Sequence, residues 1–155
     1  MTSAPWPKLT RDLVAILRGV KPNEIADIGR VLFDCGFEAV EIPLNSPEPF
    51  RSIEALARLA PDHALVGAGT VLSTENVDRL HNAGGRLLVT PNVDPVVLDR
   101  AAQHGMVSMP GVLSPTEALL ALSSGASALK FFPASVLGPS GIAAIKAILP
   151  PGCVI

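Results

Sequence analysis

Gly125-Ala126-Ser127-Ala128-Leu129-Lys130-Phe131-Phe132-Pro133-Ala134 sets one lysine in an apolar run that holds no other charge. The run is short, follows a glycine and contains two adjacent aromatics, the pattern of a buried strand. A buried ammonium must find compensation or give up its proton, because its hydration is lost. A neutral amine is a nucleophile toward carbonyls. Lys130 is therefore a candidate Schiff-base former. A lysine at a strand end that snorkels to water, or pairs with a neighbouring acid, would look the same from this stretch alone. Both readings stay open at this point.

Working outward, similar apolar runs lie at Leu13–Leu17, Ala39–Pro43, Leu65–Gly69, Arg86–Thr90, Met106–Pro110 and Ala128–Phe132. Ala- and Leu-rich stretches with helical spacing separate them. The run-to-run spacing of about 20 to 26 residues is that of one strand plus one helix. Helix starts are marked at Lys21-Pro22-Asn23-Glu24, Ser46-Pro47-Glu48, Ser73-Thr74-Glu75, Asp94-Pro95 and Ser114-Pro115-Thr116-Glu117. Small oxygen-bearing caps followed by Pro or Glu suit the free amides and positive dipole of a helix start. Gly36, Gly84, Gly105 and Gly125 each stand where a helix should end. Right-handed crossovers would then build a parallel sheet with helices outside. With no GxGxxG turn, the uniform repeat favours a TIM (β/α)8 barrel over a doubly wound nucleotide fold. Residues 1–155 read as one barrel domain with six βα units, and Pro150 to Ile155 as the start of a seventh strand. A full barrel takes eight units and typically about 250 residues. The expectation is a barrel incomplete at its C-terminus.

The bulk numbers agree. A chain of 155 residues can bury a sizeable core. Apolar residues make up 48% and charged residues only 17%, which fits much buried parallel sheet. A net charge of −2 offers no footprint for nucleic acid or an anionic membrane. Cys35 and Cys153 form neither a metal-type spacing nor a disulfide framework. No signal-peptide core or membrane-length run is present, so the expected location is cytoplasmic. His63, His81 and His104 show no ligand spacing, which disfavours a metal mechanism, and the serines lack a G-x-S-x-G context.

In a barrel, active groups sit at the C-terminal ends of the strands and in the loops that follow. The first strand delivers Arg18. The second carries Glu41, with Asn45 just beyond. The third ends at Gly67-Ala68-Gly69-Thr70, the fourth at Thr90-Pro91-Asn92, the sixth at Lys130 to Pro133. Residues two apart on a strand share a face. Ala39, Glu41 and Pro43 therefore face one way, and Val40, Ile42 and Leu44 the other. If the large aliphatics meet the outer helices, Glu41 and Lys130 both point into the barrel. They are then a structural ion pair or an acid/base with its nucleophile. A buried pair is often no more stabilising than apolar packing, which favours the functional reading. Burial favours a neutral amine while a carboxylate favours an ammonium, and sequence does not decide between them. Chemically, the amine would condense with a ketone while the carboxylate shuttles protons. Arg18 would hold an anionic group or form a surface ion pair. Thr70 offers a hydroxyl in a small turn that leaves room for a ligand or simply closes the barrel. Pro91 and Phe132 would shape the pocket.

Ile16-Leu17-Arg18-Gly19, Val40 to Pro47, Gly67 to Leu72, Thr90-Pro91-Asn92 and Leu129 to Ala134 together resemble the class I aldolases of the KDPG/KHG family. The likeness runs over nearly the whole chain. It implies a TIM barrel with Lys130 as Schiff-base residue and Glu41 as proton shuttle. Arg18 and Thr70 would contact substrate, with Asn45, Pro91 and Phe132 completing the substrate site. It implies no metal and no cofactor, and commonly a homotrimer. The substrate would be a phosphorylated 2-keto-3-deoxy sugar acid, cleaved to pyruvate and glyceraldehyde 3-phosphate. Glu41 to Pro47 and Ile16 to Gly19 resemble the phosphogalactonate branch; phosphogluconate-type members usually carry Thr-Leu-Arg-Thr where Pro43 to Ser46 stand here. A gluconate-type or 4-hydroxy-2-oxoglutarate aldolase, an inactive truncated member, or a metal-dependent lyase on the same fold are the alternatives. Family members also continue through two glycine-rich phosphate-binding loops that this sequence lacks.

Overall fold

Strand and helix alternate along the chain of the computed structural model, which describes residues 3–155. In order come β1 (Val14–Ile16), α1 (Ile25–Asp34), β2 (Ala39–Pro43), α2 (Pro49–Leu59), β3 (Leu65–Gly69), α3 (Thr74–Asn82) and β4 (Leu87–Val89). Then follow α4 (Pro95–Gln103), β5 (Val107–Met109), β6 (Gly111–Val112), α5 (Pro115–Ser123), β7 (Lys130–Phe131) and α6 (Ala134–Lys146). β1 to β5 form one sheet in sequence order, and every pairing within it is parallel. β6 and β7 pair in parallel as a second sheet.

The fifth run, expected over Met106–Pro110, forms β5, and strand resumes beyond Pro110 as β6, which the pattern does not predict. Pro110 stands between β5 and β6 and has no N–H to give to a ladder. The edge facing β7 is nonetheless continuous. Ala128, Lys130 and Phe132 donate their N–H groups to the carbonyls of Ser108, Pro110 and Val112 at 3.1, 2.9 and 3.1 Å. On the other edge, the Leu129 N–H donates to the Val154 carbonyl at 2.9 Å, where a seventh strand was expected to begin. Among the described residues no pairing joins β1 to β7, so the sheet is not closed into a barrel.

Three of the five expected helix caps are formed. The side chains of Ser73, Asp94 and Ser114 accept N–H groups of the first turns of α3, α4 and α5, and Ser114 with Glu117 makes a reciprocal capping box. The other two expectations are corrected. α1 begins only at Ile25, after turns over Lys21 to Glu24, and Glu24 makes no side-chain cap. α2 follows Glu48, whose φ of 42° is left-handed, and Ser46 does not cap it. The glycine stops behave as expected: Gly36, Gly84, Gly105 and Gly125 have φ of 80°, 81°, 65° and 82°.

The period-two faces separate as the pattern requires. Val40, Ile42, Val66, Ala68 and Leu88 point outward into a buried layer with Ile25, Ile53, Leu56, Val77, Leu80 and Leu98 of the helices. Ala39, Leu65, Leu87, Val89 and Val107 form the inner cluster. Burying each large side chain contributes about 1.5–3 kcal/mol, against about 1 kcal/mol for a cap, so this layering dominates the choice of fold. Ala4, Trp6 and Leu9 of the N-terminal segment pack into the inner cluster from the strand-entry end. Ser127 Oγ ties that segment down by donating to the Ala4 carbonyl at 2.5 Å. The entry end is thus filled, and the strand exits carry the polar residues.

Candidate active site

Every residue of β2 is buried, including Glu41, whose side chain is only 2% exposed. It stands on the inner face because it lies two residues from Ala39, a member of the inner cluster. Lys130 opens β7, and its side chain is 24% exposed. The two meet across the interior, with Lys130 Nζ donating to Glu41 Oε1 at 3.5 Å. Glu41 Oε2 is buried with no hydrogen-bond partner. Burial therefore pushes the Glu41 carboxyl above its ordinary pKa. The charge of Lys130, its hydrogen bond and the charge of Arg18 oppose that rise without cancelling it. The site thus couples an amine to a carboxyl that keeps its proton more readily than usual.

Around this pair stand the other expected residues. Lys130 Nζ lies 5.4 Å from the centre of the Phe132 ring, a cation–π distance. Arg18 Nη1 donates to Asn45 Oδ1 at 3.0 Å. Among the described residues no carboxylate pairs with Arg18, so its charge, held by a neutral amide at the strand exits, is free to meet an anion. The neighbouring Gly19 N–H donates to Ser46 Oγ at 3.0 Å. The Arg18 and Asn45 loops are in this way fastened twice. Thr70 follows β3 with φ of 59°, a strained conformation for a β-branched residue and one that clusters at functional sites. Pro91 follows β4 in a turn closed by Thr90 Oγ1 donating to the Asn92 carbonyl at 2.5 Å. A Cβ on Gly111 would fall 2.4 Å from the Pro91 backbone, so β6 passes that turn at glycine distance. Thr70 and Pro91 share the strand-exit end with the pair but hydrogen-bond neither Glu41 nor Lys130.

Lys130 also lines a hollow of about 860 Å³ bounded by Trp6, Val14, Met109, Lys146 and Val154. Glu41 is not among the residues that line it. Two contributors escaped the sequence reading. Ser46, expected at a helix start, instead anchors the Arg18 loop. Gly69 was read as part of a roomy turn, whereas its Cα is the surface against which the Glu41 carboxyl rests. No His/Cys/Asp/Glu cluster able to hold a metal ion occurs among the described residues. No helix among them is long and apolar enough to cross a membrane.

The chain thus sets a lysine and a buried acid at hydrogen-bond distance on a parallel α/β sheet. The model of the family "KDPG and KHG aldolase" matches residues 8–153. The chain belongs to this family. It is 60% identical over 150 residues to the "Probable 2-dehydro-3-deoxy-6-phosphogalactonate aldolase" of Rhizobium meliloti (strain 1021), covering 97% of this chain and 71% of that protein. A solved structure described as "Native KDPGal structure" superposes with a TM-score of 0.90 at 49% identity, over 96% of this chain and 72% of that one. The KDPG aldolase from Legionella pneumophila, solved with pyruvate captured as a covalent carbinolamine, matches with a TM-score of 0.79 at 27% identity, over 88% of this chain and 66% of that one. The α/β fold with its parallel sheet is therefore that of the KDPG/KHG aldolases.

Proposed function

We propose that this aldolase cleaves 2-dehydro-3-deoxy-6-phosphogalactonate to pyruvate and D-glyceraldehyde 3-phosphate through a Schiff base on Lys130. The observation that carries the proposal is the 3.5 Å contact between Lys130 Nζ and Glu41 Oε1 inside a buried face. The substrate assignment rests on the relatives' names and on the Glu41 to Pro47 motif.

Each step has an atom to perform it. A proton passes from the Lys130 ammonium to the Glu41 carboxylate, leaving amine and acid side by side. Burial of Glu41 favours this neutral pair. The amine adds to the C2 ketone, and the acid protonates the carbinolamine oxygen, which leaves as water. The carboxylate so formed takes the proton of the C4 hydroxyl. The C3–C4 bond then breaks, its electrons flow into the iminium to give an enamine, and the aldehyde departs. The acid returns its proton to C3, and water hydrolyses the iminium to free pyruvate and Lys130. Water and protons balance over the cycle, and no redox partner is needed. Arg18, oriented by Asn45, attracts an anionic group of the substrate. Thr70, Pro91 and Phe132 border it at the strand exits. We take residues 1–155 as a single (β/α) barrel-type domain. A cytoplasmic homotrimer is the assembly the family likeness carries.

Pyruvate followed by borohydride should leave a reduced adduct on Lys130, read by peptide mass, and the adduct should vanish in Lys130→Arg. An unmodified Lys130 would overturn the assignment. Parallel assays with the galactonate- and gluconate-type epimers should favour the former in kcat/KM.

A further inference from the structure

We infer that Gly69 is the positioning residue for the Glu41 carboxyl. The inference rests on the aldolase reading of the site and adds a residue to it.

Gly69 closes β3, and its backbone φ is not left-handed, so its conformation makes no demand for glycine. The demand is for space. A Cβ placed on it would lie 1.5 Å from Glu41 Oε2 and 2.6 Å from Glu41 Cδ. Ordinary contact begins near 3.4 Å, so Glu41 Oε2 occupies the space a side chain at position 69 would need, pointing end-on at the glycine. The register explains the meeting: Glu41 pairs with Gly67, which puts Gly69 diagonally across on the same face. Gly69 cannot withdraw, because its carbonyl accepts the Leu44 N–H at 2.8 Å. Glu41 has little room either, since its side chain is buried and Oε1 faces Lys130. A methyl at position 69 must therefore change the geometry between the carboxyl and the amine. The glycine also presents only C–H to Oε2, which leaves that oxygen without a donor. An unpartnered buried carboxylate oxygen favours the protonated acid, consistent with the raised pKa of Glu41.

The test measures exchange of the pyruvate methyl protons in D2O by NMR, beside borohydride trapping on Lys130. Gly69→Ala should slow exchange by about 100-fold, the scale of an ångström-sized misplacement of a catalytic group. The pH profile of the residual exchange should shift as well, which a purely structural defect would not cause. In a Glu41→Asp background the shorter side chain leaves the methyl room, so adding Gly69→Ala should cost less than about threefold. An equal cost in both backgrounds, or exchange by Gly69→Ala within about twofold of the parent, overturns the inference. If Gly69→Ala does not fold, Glu41→Ala/Gly69→Ala should regain a cooperative unfolding transition. A double variant that stays unfolded overturns it too, because the fault then lies in the backbone. A parent protein that traps no pyruvate on Lys130 overturns the aldolase reading, a failure distinct from all of these.

Discussion

Glu41 and Lys130, 89 residues apart in the chain, come within 3.5 Å of each other across the inner face of the sheet. One carboxylate oxygen faces the amine and the other has no partner, so the acid is held in a half-satisfied state. Such a group is expensive for folding and useful for proton transfer, because burial favours its neutral form more than water does.

Glu41→Gln keeps the shape and removes the titratable acid proton. Aldol cleavage should fall by about 10²–10⁴-fold, the usual contribution of a positioned acid–base group, as read in kcat. The same variant should have a pH-dependent effect on stability. The folded Glu41 pKa lies above its ordinary 4.5, so as pH rises the unfolded chain loses this proton first. The parent therefore has this contribution in full below pH 4.5 and loses it as pH climbs through the folded value. The melting temperature of Glu41→Gln, relative to the parent, should rise over that window. A difference that is flat with pH would contradict the burial argument.

Asp78 behaves in the opposite sense. Its Oδ1 meets Arg100 Nε at 2.6 Å and His104 Nε2 at 2.7 Å, joining α3 to the end of α4. These hydrogen bonds, Arg100's first, hold its carboxyl down from 3.8 to about 2. Its stabilising effect is present above pH 3.8 and disappears as pH falls through about 2. Asp78→Asn should melt below the parent at neutral pH, and the gap should close between those values. A gap unchanged down to pH 2 would remove Asp78 from the account of acid stability.

The outer layer should be the most sensitive part of the core. Ile42 is fully buried between the sheet and the helices. Ile42→Ala should cost about 2–5 kcal/mol in urea unfolding, with little change in the m value. Val31, 61% exposed on α1, should tolerate alanine within about 0.5 kcal/mol. Similar losses at both sites would mean that the layering is misassigned.

Much of the scaffold was legible residue by residue. Ser73, Asp94 and Ser114 cap helices through bonds that reach only two or three residues along the chain. The left-handed glycines at the helix exits answer a steric need of the backbone at one position. The inward turn of Glu41 followed from strict alternation on one strand. Ser46 was misread because its hydroxyl is taken by Gly19, 27 residues earlier, and no local rule contains that partner. β6 lies outside the expected run, which ends at Pro110, because its pairing is set by β7, 19 residues further along the chain.

Local chemistry along the chain was enough to dictate where strands begin, where helices stop, which face turns inward, and which amine and acid could react. Their separation, the seat that Gly69 makes for one carboxylate oxygen and the orphaning of that oxygen arose only when β2, β3 and β7 took up a common interior. Distances across that interior depend on register and packing between segments far apart in sequence, and no run of neighbouring residues encodes them alone.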